Sequence, residues 1–311
     1  MTDSNVNIER PAAAEIALGL DLAWRHIAPP QRAAQIERTI SEWRAQWGSQ
    51  IDPATILLVA RVDGRVVGAA SAQLLGGGTA MLAPPGVEAG APPGTARCLL
   101  DGVLSEADRA GARMAQALLP VDHGPDFELL TSAGCEHLAD LLYMVALART
   151  FPEHVPESPL EFEPFAPGQE PRMLALLERT YQATRDCPRL NGLRNTADVL
   201  EGYRAAGRFD PGRWFFLRHD RTDVGCLLLT EHPEHRQWEL VYVGLVPEVR
   251  GRGWGIEAVR RAQALAGGAG ATCLLLAVDA ANEPAIAMYA AAGFTAWDRR
   301  SVLFRFAGRG A

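Results

Sequence analysis

Arg250-Gly251-Arg252-Gly253-Trp254-Gly255 sets three glycines and two arginines in one hexapeptide, a composition suited to holding an anion. Glycine lets backbone N–H groups converge on a ligand, and a helix beginning there adds a dipole that favours negative charge. Two familiar anion loops do not fit. A phosphate-binding lysine loop ends in Gly-Lys-Ser/Thr, and the chain contains no lysine. A dinucleotide fingerprint spaces its glycines G-x-G-x-x-G, whereas these fall at 251, 253 and 255, so the third comes one residue early. The pattern that remains is Arg-x-x-Gly-x-Gly, from Arg250 to Gly255.

The flanking residues state which elements position this loop. Residues 239–246 form an apolar strand closed by Pro247. After the loop, Ile256, Val259, Ala262 and Leu265 share one helical face, with Glu257 and Arg261 paired at i,i+4. Residues 272–278 are a continuous apolar run, as expected of a strand buried on both faces. Asn282-Glu283-Pro284-Ala285 opens another helix, with an Asn cap, Pro in the first turn and Glu near the positive end. Ala285, Met288, Tyr289 and Ala292 lie on one face of that helix, and Gly293 ends it before Phe294 starts a strand.

The glycine hexapeptide, followed after one strand by Asn-x-x-Ala-x-x-x-Tyr-x-x-x-Gly-Phe from Asn282 to Phe294, resembles the two signatures of the GCN5-related N-acetyltransferase (GNAT) family. The resemblance implies an α/β (α+β) fold, a mixed, mostly antiparallel sheet flanked by helices, with acetyl-CoA as co-substrate and no metal. By resemblance, backbone groups of Gly244, Leu245 and Val246 pair with the pantetheine arm. The N–H groups of Gly251, Arg252, Gly253, Trp254 and Gly255 hold the pyrophosphate, and Arg250 adds charge. Asn282, Ala285 and Met288 line the coenzyme from the second motif, Asn282 having a helix cap as its other reading.

Acetyl transfer to an amine needs two proton movements. An amine of pKa about 8–10 must lose a proton before it attacks, and a departing thiolate of pKa about 8.5 is best protonated. The resemblance makes Tyr289 the acid, a core aromatic being the alternative. Glu239, on the strand leading to the acetyl-binding backbone, is the base candidate, as in tandem members similar to mycothiol synthase. A solvated strand-edge carboxylate is its alternative, and Glu231 and Glu234 are reserves. Residues 181–189 fall where the family places its acceptor lid.

The chain's 311 residues suit two domains, and 48% hydrophobic with 22% charged residues is a globular composition. No run is long enough for a membrane span, and a net charge of −7 argues against sequence-independent nucleic-acid binding. All 30 basic residues are Arg, which reads as the codon usage of a GC-rich bacterium. Five cysteines without CxxC spacing read as reduced thiols of a cytoplasmic protein. His232 and His235 read as a surface loop rather than a metal site, and Cys187 lacks an adjacent base for covalent catalysis.

Prolines at 152, 156, 159, 164, 167 and 171 divide the chain. The halves repeat. Arg61-x-Asp63-x-x-x-Val67-Gly68 matches Arg218-x-Asp220-x-x-x-Val224-Gly225 at an offset of 157. Gly94 and Gly134 match Gly253 and Gly293 at an offset of 159. Two tandem GNAT folds follow: a degenerate domain over 1–150, a proline-rich linker with the first strand over 151–171, and the acetyltransferase domain over 160–311. The first copy has Ala91 for Arg250 and two prolines, Pro92 and Pro93, for Gly251 and Arg252. The expected activity is acetyl transfer to a primary amine of a small molecule by direct attack, in a monomer or homodimer. Acetylation of protein N-termini or lysines, and acyl-CoA binding without turnover, are the alternatives.

Overall fold

The computed structural model describes residues 6–308, apart from 26, 28, 48, 49, 123, 155 and 156. These residues fall in two compact units, divided between His137 and Leu138 and again between Ser301 and Val302. The elements in chain order are β1 (Asn7–Glu9), α1 (Ile16–Ala23), α2 (Pro29–Trp47), β2 (Thr55–Val62), β3 (Arg65–Leu75), β4 (Thr79–Val87), α3 (Thr95–Arg109), β5 (Met114–Pro120), α4 (Pro125–Ser132) and β6 (Glu136–Leu147). The same series then recurs as β7 (Glu161–Pro164), α5 (Glu170–Tyr181), α6 (Thr196–Ala205), β8 (Trp214–His219), β9 (Thr222–His232), β10 (Gln237–Leu245), α7 (Trp254–Gly268), β11 (Cys273–Asp279), α8 (Glu283–Ala291) and β12 (Thr295–Phe306).

In the first unit the strand order is β1-β2-β3-β4-β5, with the last residues of β12 beyond β5. In the second it is β7-β8-β9-β10-β11-β6, with the first residues of β12 beyond β6. The unit boundaries therefore do not follow the proline-rich stretch. Most of β6, placed by sequence at the end of the first domain, belongs to the second unit, and the end of β12 belongs to the first. Prolines interrupt regular structure but do not decide which neighbour a strand pairs with.

The repeat is legible element by element. Both hairpins turn on two residues with positive φ, Asp63-Gly64 at 49° and 79° and Asp220-Arg221 at 47° and 62°, as a tight turn matching strand twist requires. α3 and α7 both contain 15 residues and start behind a left-handed glycine, Gly94 at φ 85° and Gly253 at φ 82°. Glu88 N–H donates to Val67 O just as Val246 N–H donates to Val224 O. Each unit has its own core. Leu99, Leu100 and Val103 of α3 pack on Leu58 and Ala70 in the first, and Val259 and Ala262 of α7 pack with Leu227 and Leu274 in the second.

β11 departs from the expectation of burial on both faces. Leu274, Leu276 and Val278 are buried, but on the other face only Cys273 and Asp279 are, Leu275 being half-buried and Ala277 exposed, so that face is open in its middle.

Arg221 is an L-residue held in the left-handed region, at a cost of roughly 1–2 kcal/mol, and only its backbone oxygen is engaged, by Arg218 Nη2 at 3.2 Å. Arg221→Gly is expected to stabilise the second unit by about 1 kcal/mol, raising its thermal midpoint by about 2–4 °C in calorimetry.

Candidate active site

β10 and β11 begin as a parallel pair, Gln237 to Cys273, Trp238 to Leu274 and Glu239 to Leu275, and there the pairing stops. On its other side β10 stays with β9 to Leu245 against Gly225, slipping register between Leu240 and Tyr242. This bulge turns β10 away from β11 and opens a gap inside the sheet. The antiparallel register decides which backbone groups face it. Val246 N–H donates to Val224 O, so by alternation Gly244 and Tyr242 bond to β9, while Val243 and Leu245 turn their groups to the gap. The sequence reading placed the arm on Gly244, Leu245 and Val246. The register turns Gly244 and Val246 to β9, and turns Leu245 and Val243 to the gap. Gly244 has a steric role instead, because a Cβ there would lie 2.5 Å from the Tyr242 hydroxyl.

The glycine hexapeptide follows at the start of α7. Gly251 and Gly253 have φ of 78° and 82°, and nothing lies within 4 Å of where a Cβ would stand on either, so the turn is open. Gly255 serves packing: a Cβ there would lie 2.7 Å from Met288 Sδ, so α7 and α8 approach closely at that point. Trp254 is buried against His219, ring centroids 4.6 Å apart, and anchors the first turn of α7. The Arg252 guanidinium sits over the Trp254 ring at 5.3 Å, beside the open turn. Arg250 is otherwise engaged. Its Nε donates to Leu245 O at 3.0 Å, Nη1 to Ala183 O at 2.9 Å and Nη2 to Thr180 O at 2.8 Å. Its fork thus ties the end of β10 to the last turn of α5 and the segment after it, a role the sequence motif did not disclose.

Tyr289 is buried on α8, its ring 5.7 Å from that of Phe294. Burial holds its hydroxyl well above the ordinary range, and the nearby Asp186 charge pushes it further, so it stays protonated at neutral pH. Asn282 caps α8, its Oδ1 accepting from Ala285 N at 3.4 Å, and Ala285 and Met288 pack against the core. Glu239 is not a lone carboxylate. Its Oε2 lies 2.9 Å from His232 Nε2 across the β9–β10 hairpin, and this bond raises the His232 pKa above its ordinary value. His232, read from sequence as a loop residue, is therefore the partner of the base candidate; its place seven residues before Glu239 across a tight hairpin was the available signal. Glu231 is taken up by Arg208 and Arg213, and Glu234 is exposed. Among the described residues no group of three or more His, Cys, Asp or Glu is arranged to hold a metal ion, and no helix is long and apolar enough to cross a membrane.

A gap between two strands edged with free N–H groups, an open glycine turn at a helix start and a protonated tyrosine on the next helix form one constellation. Residues 177–294 match the Acetyltransferase (GNAT) family. The second unit carries a GNAT-family domain. Mycothiol acetyltransferase of Streptomyces bingchenggensis is 30% identical over 147 residues, 47% of this chain and 46% of that protein, so the match spans under half of the relative's length. A GCN5-related N-acetyltransferase from Sphaerobacter thermophilus superposes over 98% of this chain and 97% of its own, with a TM-score of 0.64 and 18% identity. A tandem GNAT protein from the clavulanic acid biosynthesis pathway covers 99% of this chain and 100% of its own, with a TM-score of 0.53 and 18% identity. The chain therefore has the tandem GNAT fold.

The first GNAT repeat keeps the shape but lacks the N–H at the position of Val243. β4 leaves β5 after Leu82 pairs with Ala117, as β10 leaves β11. Aligned by the Gly68–Val87 and Gly225–Leu245 pairs, Pro85 stands where Val243 presents its N–H. A Cβ on Gly86, the counterpart of Gly244, would lie 1.8 Å from Leu22 O of α1. In its loop the Pro92 carbonyl accepts from both Thr95 N–H and, at 2.7 Å, Thr95 Oγ1.

Arg250→Lys keeps the charge but removes the planar fork. It is expected to speed amide hydrogen exchange over residues 183–187 by about 10-fold, one lost anchoring interaction of about 1–1.5 kcal/mol.

Proposed function

We propose that the second unit transfers the acetyl group of acetyl-CoA to a primary amine of a small molecule, by direct attack with both molecules bound. The observation that carries this reading is the gap after the Glu239–Leu275 pair, edged by the N–H groups of Val243 and Leu245 and leading to the open turn at α7. The residues fit the coenzyme: an extended amide-bearing arm pairs with a strand edge, and a diphosphate suits N–H groups at a helix start. Acetyl-CoA, when bound, supplies the activated acyl group. The acetyltransferase names of the relatives support the same reading.

In this reading Val243 and Leu245 orient the arm, and the N–H groups of residues 251–255 hold the diphosphate with Arg252 alongside. The Glu239–His232 pair takes the proton that the amine must shed. As the new N–C bond forms and the C–S bond breaks, Tyr289 Oη gives its proton to the sulfur. Tyr289 suits this because burial keeps it an acid until a stronger base develops beside it.

Release of free thiol across a panel of amines tests the proposal. With an active acceptor, Tyr289→Phe and Glu239→Gln are each expected to lower kcat by about 100-fold, with the coenzyme A dissociation constant within about 3-fold of the original. Full rate in both variants, or no binding of coenzyme A, would overturn the reading.

The pair also sets a pH dependence. The His232 pKa is raised, so below it the imidazolium occupies Glu239, and only above it can the pair accept a proton. At saturating amine, kcat is expected to fall on the acid side with a limb above about pH 6.5, the ordinary histidine value. His232→Gln is expected to remove that limb.

A further inference from the structure

β11 has an edge on the gap as well, and what occupies it is a side chain. Ala280 N–H donates to Asp140 O, back toward β6, so alternation turns the Asp279 N–H the other way, toward β10. Asp186 Oδ1 accepts it at 2.9 Å. Asp279 and Val243 each lie four residues beyond the last β10–β11 pair, so Asp186 stands across the gap from the first N–H offered by β10. The placement is braced from several directions. Cys187 N–H donates to Asp279 Oδ2 at 3.0 Å, Asp186 N–H donates to Thr184 Oγ1 at 3.1 Å, and Arg250 holds the carbonyls of Thr180 and Ala183. Ala183 and Cys187, on either side, take φ of 50° and 43°, a left-handed backbone held only by such bonds.

Asp186 is exposed to water, and partial desolvation pushes its carboxyl above the usual range, against the Asp279 N–H and with the Asp279 charge. Among the described residues no arginine or histidine pairs with it, in a chain of 30 arginines where most acids of this unit are paired. Oδ2 has no partner, and Tyr289, Tyr181 and Tyr242 are its neighbours. An unneutralised carboxylate beside a second one, Asp279, is matched by a cation.

We propose that Asp186 receives the ammonium group of the acceptor at the mouth of the gap, and so restricts acceptors to alkylamines without a carboxylate beside the nitrogen. The assignment rests on the acetyltransferase reading and names the acceptor class of the same site. Asp186 is here a specificity residue. A free α-amino acid would bring its own carboxylate against Asp186 and is disfavoured by like-charge repulsion.

The test uses 2-phenylethylamine and phenylalanine, which differ by that one carboxylate, on wild-type protein and Asp186→Asn. The asparagine keeps an oxygen for the Asp279 N–H, and an unchanged thermal midpoint checks the fold. Each amine is titrated calorimetrically into protein saturated with coenzyme A, and acetylation is followed by thiol release. Wild type is expected to favour 2-phenylethylamine by about 30-fold or more in dissociation constant and in kcat/KM. Asp186→Asn is expected to compress that ratio to within about 3-fold, through a raised KM for 2-phenylethylamine, with affinity for coenzyme A unchanged within about 3-fold. Equal binding of both amines by wild type, binding of neither, or full discrimination in the variant would overturn the assignment. Failure to bind coenzyme A would instead overturn the functional reading beneath it.

Discussion

Backbone polar groups inside a sheet must find partners, and the parting of β10 from β11 leaves some without them. Everything at the site answers this constraint. The bulge at Leu240–Tyr242 starts the divergence, the glycine at 244 leaves room for the Tyr242 ring, and Arg250 takes the Leu245 carbonyl. On the facing edge Asp186 takes the Asp279 N–H. What stays open is a short stretch of donors, and an extended amide chain is the natural complement to it.

Glycine does three different jobs in this unit, which explains why a motif of glycines carries more meaning than its count. Gly253 supplies the left-handed turn that starts α7, Gly255 lets the Met288 sulfur approach, and Gly244 makes space for a phenol folded back along its own strand. The arginines divide in the same way. Arg250 is spent on three carbonyls, and Arg252 remains beside the turn.

The sequence made the repeat legible because tight turns and helix starts depend on a few local residues, such as Asp63-Gly64 and Gly94. Asn282 as a cap was readable for the same reason. Four things were hidden. The side of β10 that faces the gap depends on hydrogen-bond register, so Val243 could not be told from Gly244. His232 meets Glu239 only because the hairpin closes at one register, and Asp186 reaches Asp279 over 93 positions. The ownership of β6 by the second unit is a pairing between distant strands, and no local signal in 138–147 records it.

The two glycine turns lead to a broader point. Gly94 and Gly253 adopt nearly the same torsions, with ψ of −9° and −3°, although prolines precede one and a glycine and an arginine precede the other. The bend is thus set by the junction of strand and helix rather than by the residues that precede the glycine. Shape and donor set are separable: the hinge glycine and its torsions recur in both units, while the residues leading into it differ in how many N–H groups they carry.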